Sequence, residues 1–405
     1  MSTFGRQAGV RFTGTRGELF GIMVRGYLAM LPTLGLYRFW MVTWKRRFYW
    51  SHTEIDGDAL EYTGNGRQLL IGFLMAVVIF VPIYALLLFI STQGSGWLLA
   101  GYATIGTVIW FLIGYATYRT RDFRLSRTLW RGIRFDQRGS AFGYALRRFL
   151  WSGLMVITLG LAYPFMAGNL WSYRYRHTWF GDHQFDFTGS WRSIAGSYYA
   201  IYLVAALIVA GMTADLALRQ DYYLDNTTVV PNFPVVLLGL ILFGFLSWAV
   251  YFYRAREISR MFSSVRIGVA TVTVKVRGRA MFGQFMLYGL AIAGALTVFG
   301  LIFGLVIASL LAPLAQKGAN LQAADVARVL QGSLVNLGIL GLGYLALLST
   351  FAILAEVVLG FGYWKLVCRE AQIANIDSLA AVRAGPEDTS LVGEGIASAL
   401  NLGSY

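Results

Sequence analysis

The chain has 405 residues, of which 57% are hydrophobic and only 13% charged, and its net charge is +14. So few charges cannot clothe a water-soluble globule of this length, so the composition excludes an ordinary soluble domain and a disordered chain and assigns an integral membrane protein. The excess of basic residues follows from topology, as set out below, and calls for no nucleic acid.

In chain order, residues 1 to 16 are polar and basic and hold no cleavable signal peptide. A helix needs about 20 apolar residues to cross a hydrocarbon core of about 30 Å. Such windows stand at 69 to 90, 97 to 118, 196 to 217, 234 to 253, 283 to 312 and 335 to 364. Two weaker tracts, 17 to 50 and 142 to 175, carry Thr-Leu-Gly-Leu at Thr33 and Thr158, where the chain can reverse. Each is predicted to be a tight helical hairpin. The expected fold is a polytopic α-helical membrane protein with about ten transmembrane helices.

Basic residues orient those helices. Seven arginines lie between 119 and 138, and "WKRR" (44 to 47) and "YRYR" (173 to 176) close two other helices, whereas 91 to 96 is uncharged, 218 to 233 has only Arg219 as a basic residue, and 313 to 332 has only Lys317 and Arg328. By the positive-inside rule the basic side, and with it both termini, is cytoplasmic. The same residues attract anionic inner-leaflet lipid by about 1 kcal/mol for each well-placed Lys or Arg.

Internal repetition is the strongest signal. Thr33 to Thr63 and Thr158 to Thr188 span the same length, and His52-Thr53 matches His177-Thr178 in that ungapped frame. "YRTRDFRLSR" (118 to 127) likewise resembles "YRAREISRMF" (253 to 262). The expected organisation is two and a half internal repeats: 1 to 138, 139 to 279, and a half repeat from 280 to 405 with a cytoplasmic tail. Most helices that end on the basic side run into short alternating segments ("ALEY", "IRF", "QFDF", "TVTVKV"), with turn residues at Asp56-Gly57, Arg131-Gly132, Gly181-Asp182 and Gly268. Unpaired strands are too costly in hydrocarbon, so these cytoplasmic β-hairpins are expected to form a small sheet or barrel-like assembly. The alternative is a set of separate solvated turns.

"FTGTRGELFGIM", "TLGLYRFW" followed by "KRR", and "LEYTGNGRQLL" resemble the YjgN family of bacterial inner-membrane proteins, a domain of unknown function. The likeness extends over most of the chain and loosens in the last half unit. It implies a multi-pass protein of the bacterial inner membrane, supplies no activity or functional residue, and hints at a zincin-type membrane peptidase as partner.

No HExxH, GxSxG, P-loop or Rossmann pattern is present, so an enzyme is not expected, nor is a cofactor. His52, His177 and His183 are read as hydrogen-bonded junction residues, with a metal site as the alternative that lacks ligands. Cys368, the single cysteine, is read as a bland residue near a helix end. Ionisable side chains at membrane depth are costly and rarely idle. Arg25, Arg147 and Glu356 are therefore the candidate substrate-binding residues, with Glu356 expected to meet an arginine of another unit. Arg38, Arg148 and Asp215 lie nearer helix ends and can snorkel. Glycines in 289 to 304 and 338 to 348 predict a close interface between the last two helices. The leading functional expectation is binding or transport of an anionic or amphipathic solute or lipid. The alternative is a non-catalytic membrane scaffold or regulator that recruits a protein partner through its cytoplasmic β-assembly.

Overall fold

The computed structural model describes residues 5–92, 97–218, 233–315 and 333–385. Strand pairs and helix pairs alternate along the chain. β1 (Ala8–Phe12) leads into α1 (Arg16–Met30) and α2 (Arg38–Ser51); β2 (Thr53–Ile55) and β3 (Asp58–Tyr62) lead into α3 (Gly66–Thr92) and α4 (Trp97–Ser126). Next come β4 (Thr128–Trp130), β5 (Ile133–Gln137), α5 (Ala141–Ile157), α6 (Tyr163–Arg176), β6 (Thr178–Phe180), β7 (His183–Phe187), α7 (Arg192–Leu218) and α8 (Phe233–Phe262). β8 (Val265–Ile267), β9 (Ala270–Val274) and α9 (Gly278–Ala315) follow. The last helix, α10 (Leu334–Arg369), precedes β10 (Ala371–Ala374).

The ten strands close into an antiparallel barrel ordered β1-β10-β9-β8-β7-β6-β5-β4-β3-β2. The expected β-assembly is thus a complete ring, and its ladders run across the unit boundaries expected at 138 and 279. Two strands were not anticipated. β1 pairs with β2 through Val10–Ile55, and β10 pairs with β9 through Ala371–Val274; β1 and β10 then join at Ala8–Ile373 and Gly9–Gln372. Asp56-Gly57 and Arg131-Gly132 both take positive φ, the twist-matched hairpin turn, whereas at the other two hairpins Gly181 and Gly268 alone do so. Alternation then sends one face inward: Trp130, Phe180, Ile267, Ala8 and Ala270 fill the barrel.

A short 3₁₀ turn, Ile376–Ala381, stops the barrel at its hairpin end. Ile376 is fully buried among those side chains, with Leu379 and Val382 beside it; burying an isoleucine contributes about 1.5–3 kcal/mol. Arg6 pins the segment by pairing with Asp377 at 3.0 Å and Asp56 at 2.5 Å. On the opposite side Asp182 and Arg383 exchange two hydrogen bonds, each 3.0 Å. Gly181 has no room for a side chain, because a Cβ there would lie 2.1 Å from the Arg383 carbonyl oxygen.

All helices stand on the other end of the barrel. The extensive helix–helix contacts among the described residues join chain neighbours, and α10 also packs against α1. The helices therefore form a ring in chain order above the ring of strands. Among the described residues six helices are long and apolar enough to cross a membrane: α3, α4, α7, α8, α9 and α10. This departs from the expectation of ten crossings, and the reason is length. α1, α2, α5 and α6 have 15, 14, 17 and 14 residues, which rise only about 21–26 Å against a core of about 30 Å. Within the apolar windows of the six long helices at most 11% of residues are buried by protein, as a ring one helix thick requires.

The helix reversals sit where Thr-Leu-Gly predicted them. Leu34-Gly35 and Leu159-Gly160 both take positive φ. The glycine-rich contact between α9 and α10 is present at Gly343, where a Cβ would stand 1.9 Å from the Phe303 ring; Gly289, Gly294, Gly300, Gly304, Gly338 and Gly341 have open space instead. Of the segments expected to be poor in basic residues at 91 to 96, 218 to 233 and 313 to 332, the parts at 93 to 96, 219 to 232 and 316 to 332 lie outside the described residues, as does the tail beyond 385.

Candidate functional site at the junction of barrel and helices

Polar side chains collect where each helix hands over to a strand. Thr53, Thr128 and Thr178 are buried at the first position of β2, β4 and β6, and each donates to the carbonyl four residues upstream, at 2.7, 2.7 and 2.8 Å. Their oxygens also accept from elsewhere in the ring: Thr53 from Trp364 Nε1, Thr128 from Trp50 Nε1, and Thr178 from Arg121, at 2.8–2.9 Å. His52 and His177 hydrogen-bond through Nδ1 to the carbonyls of Phe48 and Tyr173 at 2.8 and 2.7 Å, so both close a helix end. His183 instead meets Asp182 at 2.7 Å. Among the described residues no group of three His, Cys, Asp or Glu could hold a metal ion.

Two carboxylates are buried above this layer, each held by a different short hairpin. Glu356 lies in a π-helical turn of α10, Ala355–Gly360, the kind of bulge that recurs at functional positions. Its oxygens accept from Lys45 Nζ at 3.0 Å and Tyr49 Oη at 2.8 Å, both on α2. The expected arginine partner is therefore replaced by a lysine, one that "WKRR" had marked only as an orientation signal. Glu257 on α8 is 2% exposed and accepts from Tyr163 and Trp171 of α6, each at 3.1 Å, with Arg254 at 3.6 Å. Sequence reasoning missed Glu257, although "YRAREISRMF" places it where "YRTRDFRLSR" has Asp122. That aspartate is also buried and pairs with Arg119 at 2.8 Å.

The structure does not bring Arg25 and Arg147 to Glu356. Both are exposed, on α1 and α5, the first helices of the two short hairpins. Arg147 lies over the Tyr173 ring at 4.5 Å. Arg148 donates to Thr117 at 2.9 Å; Arg38 and Asp215 are also engaged in interactions. Cys368 is buried.

The α5–α6 turn has a further support. Tyr198, Tyr202 and Tyr199 of α7 donate to the carbonyls of Gly160, Leu159 and Leu161 at 2.8, 3.0 and 3.1 Å. Backbone carbonyls left unpaired in lipid cost several kcal/mol each; the Gly160 carbonyl already accepts from the Tyr163 amide at 3.1 Å, so the trio adds a second donor there and supplies Leu159 and Leu161, while the Leu159 and Ile157 side chains stay exposed.

Two recesses flank α8. Between α8, α9 and α10 lies a largely apolar cavity of about 300 Å³ reached by Arg254, Gln284 and Tyr363. Between α7 and α8 runs a groove of about 540 Å³, with Arg192 and Arg256 at the barrel end and Val204, Phe245 and Trp248 along its length.

A family model described as "Bacterial protein of unknown function (DUF898)" matches residues 7–296. The match includes Arg25, Arg147 and both recess arginines of α8, and stops short of Glu356 and β10. No curated protein and no solved structure matches the chain.

Proposed function

Since the chain belongs to this bacterial family, to which the YjgN proteins also belong, we propose that it is a multi-pass inner-membrane protein that binds, and moves within the bilayer, anionic amphipathic molecules of the lipid class. The observation that carries this reading is the interrupted ring: four of its helices are too short to span, so the wall is open to lipid above α1–α2 and again above α5–α6. Arg25 and Arg147 stand exposed on the two hairpins below those openings, where a negative headgroup would find a guanidinium. Glu356 then acts through position, holding α2 to α10 beside the first opening. The positive-inside rule puts the barrel and both termini in the cytoplasm, and the corresponding halves of the chain are read as descendants of one duplicated unit.

The test is reconstitution. In proteoliposomes carrying fluorescently headed phosphatidylglycerol, the wild-type chain should speed its exchange between leaflets, and Arg25→Gln with Arg147→Gln should slow that exchange without changing melting temperature. Exchange no faster than in empty vesicles would overturn the reading. Cysteines placed at Gly57 and Thr92, in a Cys368→Ser background, should label from opposite sides of the membrane.

A second reading is a scaffold that recruits a protein partner, such as a membrane peptidase. It is favoured by the barrel itself, whose interior is filled by side chains and whose strands carry Glu54, Glu61 and Arg266 outward, with Arg131 at a hairpin turn.

A further inference from the structure

The groove between α7 and α8 has two chemistries at its two ends. Along α7 its floor is built from small residues, Ser193, Gly196, Ser197 and Ala200, spaced three and four apart so that they share a face. A Cβ added at Gly196 would meet nothing within 4 Å. Along α8 the wall is aromatic: Trp248 stacks on Phe252 at 4.9 Å and neighbours Phe245 at 6.2 Å. Farther from the barrel the helices approach again, where a Cβ added at Gly211 would stand 3.9 Å from Leu238 and one at Gly239 3.8 Å from Met212, so the groove has an upper end. At the barrel end stand Arg192 and Arg256, both exposed and neither in an ion pair among the described residues. The equivalent of Arg256 in the matching stretch "YRTRDFRLSR" is Arg121, whose guanidinium is instead turned onto Gln137 and Thr178. The two-arginine groove therefore belongs to α7 and α8 alone of those two helix pairs.

We propose that this groove is a seat for one anionic phospholipid: its phosphate lies on Arg192 and Arg256 with Ser197 as an additional donor, the Ser193 hydroxyl being held by the Ser190 carbonyl, and one acyl chain runs along Gly196, Ala200 and Trp248. The proposal deepens the lipid-handling reading and rests on it for the membrane placement of α7 and α8. It does not use the hairpin arginines. Two exposed guanidiniums without an ion pair among the described residues, Arg192 resting on the Trp191 ring at 5.7 Å, stand beside an apolar trough at the depth where helices leave the bilayer; they match a charged headgroup joined to a hydrocarbon tail, and a free anion would use only half of the site.

The test measures phospholipid retained by the full chain after exchange into a zwitterionic detergent, read by native mass spectrometry, with phosphatidylglycerol and phosphatidylcholine offered in equal amounts. Wild type should retain one phosphatidylglycerol in preference to phosphatidylcholine. Arg192→Gln with Arg256→Gln should cut that preference by about thirtyfold, as the loss of two well-placed cations implies. Gly196→Leu, which leaves both arginines in place, should abolish retention of either lipid. Equal retention of the two lipids by wild type, undiminished retention in the double variant, or full displacement by millimolar inorganic phosphate would each overturn the seat. Leaflet exchange is read on the same preparations: retention with no exchange leaves the seat standing and removes the transport reading, while exchange with no retention does the reverse.

Discussion

Glu356 and Lys45 form a nearly buried pair 3.0 Å apart, with side chains 7% and 13% exposed. Removing one member of such a pair leaves a charge without a partner, at a cost of about 3–5 kcal/mol. Glu356→Ala and Lys45→Met should each lower the detergent melting temperature strongly, and the double variant should recover part of the loss. A double variant no better than the worse single one would mean that Tyr49, and not Lys45, holds the carboxylate. Asp182 offers a second test at this scale. Its hydrogen bond with His183, followed by the one from the Arg383 backbone, holds its pKa below the ordinary carboxylate value of 3.8. The native form thus binds fewer protons than the unfolded form; the contribution is complete above that ordinary value and is lost as pH falls through the depressed one. The protection factor of the Arg383 amide against hydrogen exchange should fall once the pH drops below about 4, and Asp182→Asn, which keeps an acceptor oxygen, should hold that protection factor constant over this range.

At the scale of elements, the three tyrosines of α7 hold the α5–α6 reversal at a level where water is scarce. Replacing Tyr198, Tyr199 and Tyr202 with Phe should cost about 0.6 kcal/mol each and should raise exchange at Leu159–Leu161 more than at Leu34–Leu36, which the same trio does not touch. The hairpins and long helices were legible because period and turn chemistry act locally. "DG", "RG" and "GD", with Gly268 at the fourth turn, sufficed between alternating runs to place four β-hairpins, and a 20-residue apolar window sufficed for each spanning helix. β1 and β10 were harder, being single strands whose partners lie far away in sequence. Phe12-Thr13-Gly14 does repeat the ending of β3, Tyr62-Thr63-Gly64, and of β7, Phe187-Thr188-Gly189, and was the signal available for β1. The crossing count depended on the exact length of α1, α2, α5 and α6, a boundary property that composition does not fix. Of the candidate site, Glu356 could be named from the sequence, but Glu257 and the partners of both carboxylates could not. Lys45 and Glu356 are 311 residues apart, and no local pattern links them.

For the molecule as a whole, one ladder decides the architecture: β1 against β10. Opposed residues in an antiparallel pair stand about 4.5–5.5 Å apart, within reach of a disulfide. Gly9→Cys with Gln372→Cys, in a Cys368→Ser background, should therefore oxidise to a single intramolecular bond that joins the two ends of the chain and changes its mobility on a denaturing gel. Failure to cross-link would open the barrel and with it the stacked rings. Screening separates this contact from the surface ones. The Arg6–Asp56 and Arg131–Asp58 pairs at the hairpin end are partly exposed and should weaken in salt, whereas the buried Ile376 contact should not.

The ladder between the first and last strands also sets an order of events during synthesis. A ribosome must complete almost the whole polypeptide before β10 exists, and until then β1 and β9 present bare edges of the kind that invite foreign strands. Contacts this distant in sequence are slow to form, so the nascent protein spends its longest vulnerable interval with the helices already inserted and the ring unsealed. A stop codon just before Ala371 would preserve every spanning helix and still yield a product prone to aggregation and to quality-control proteases.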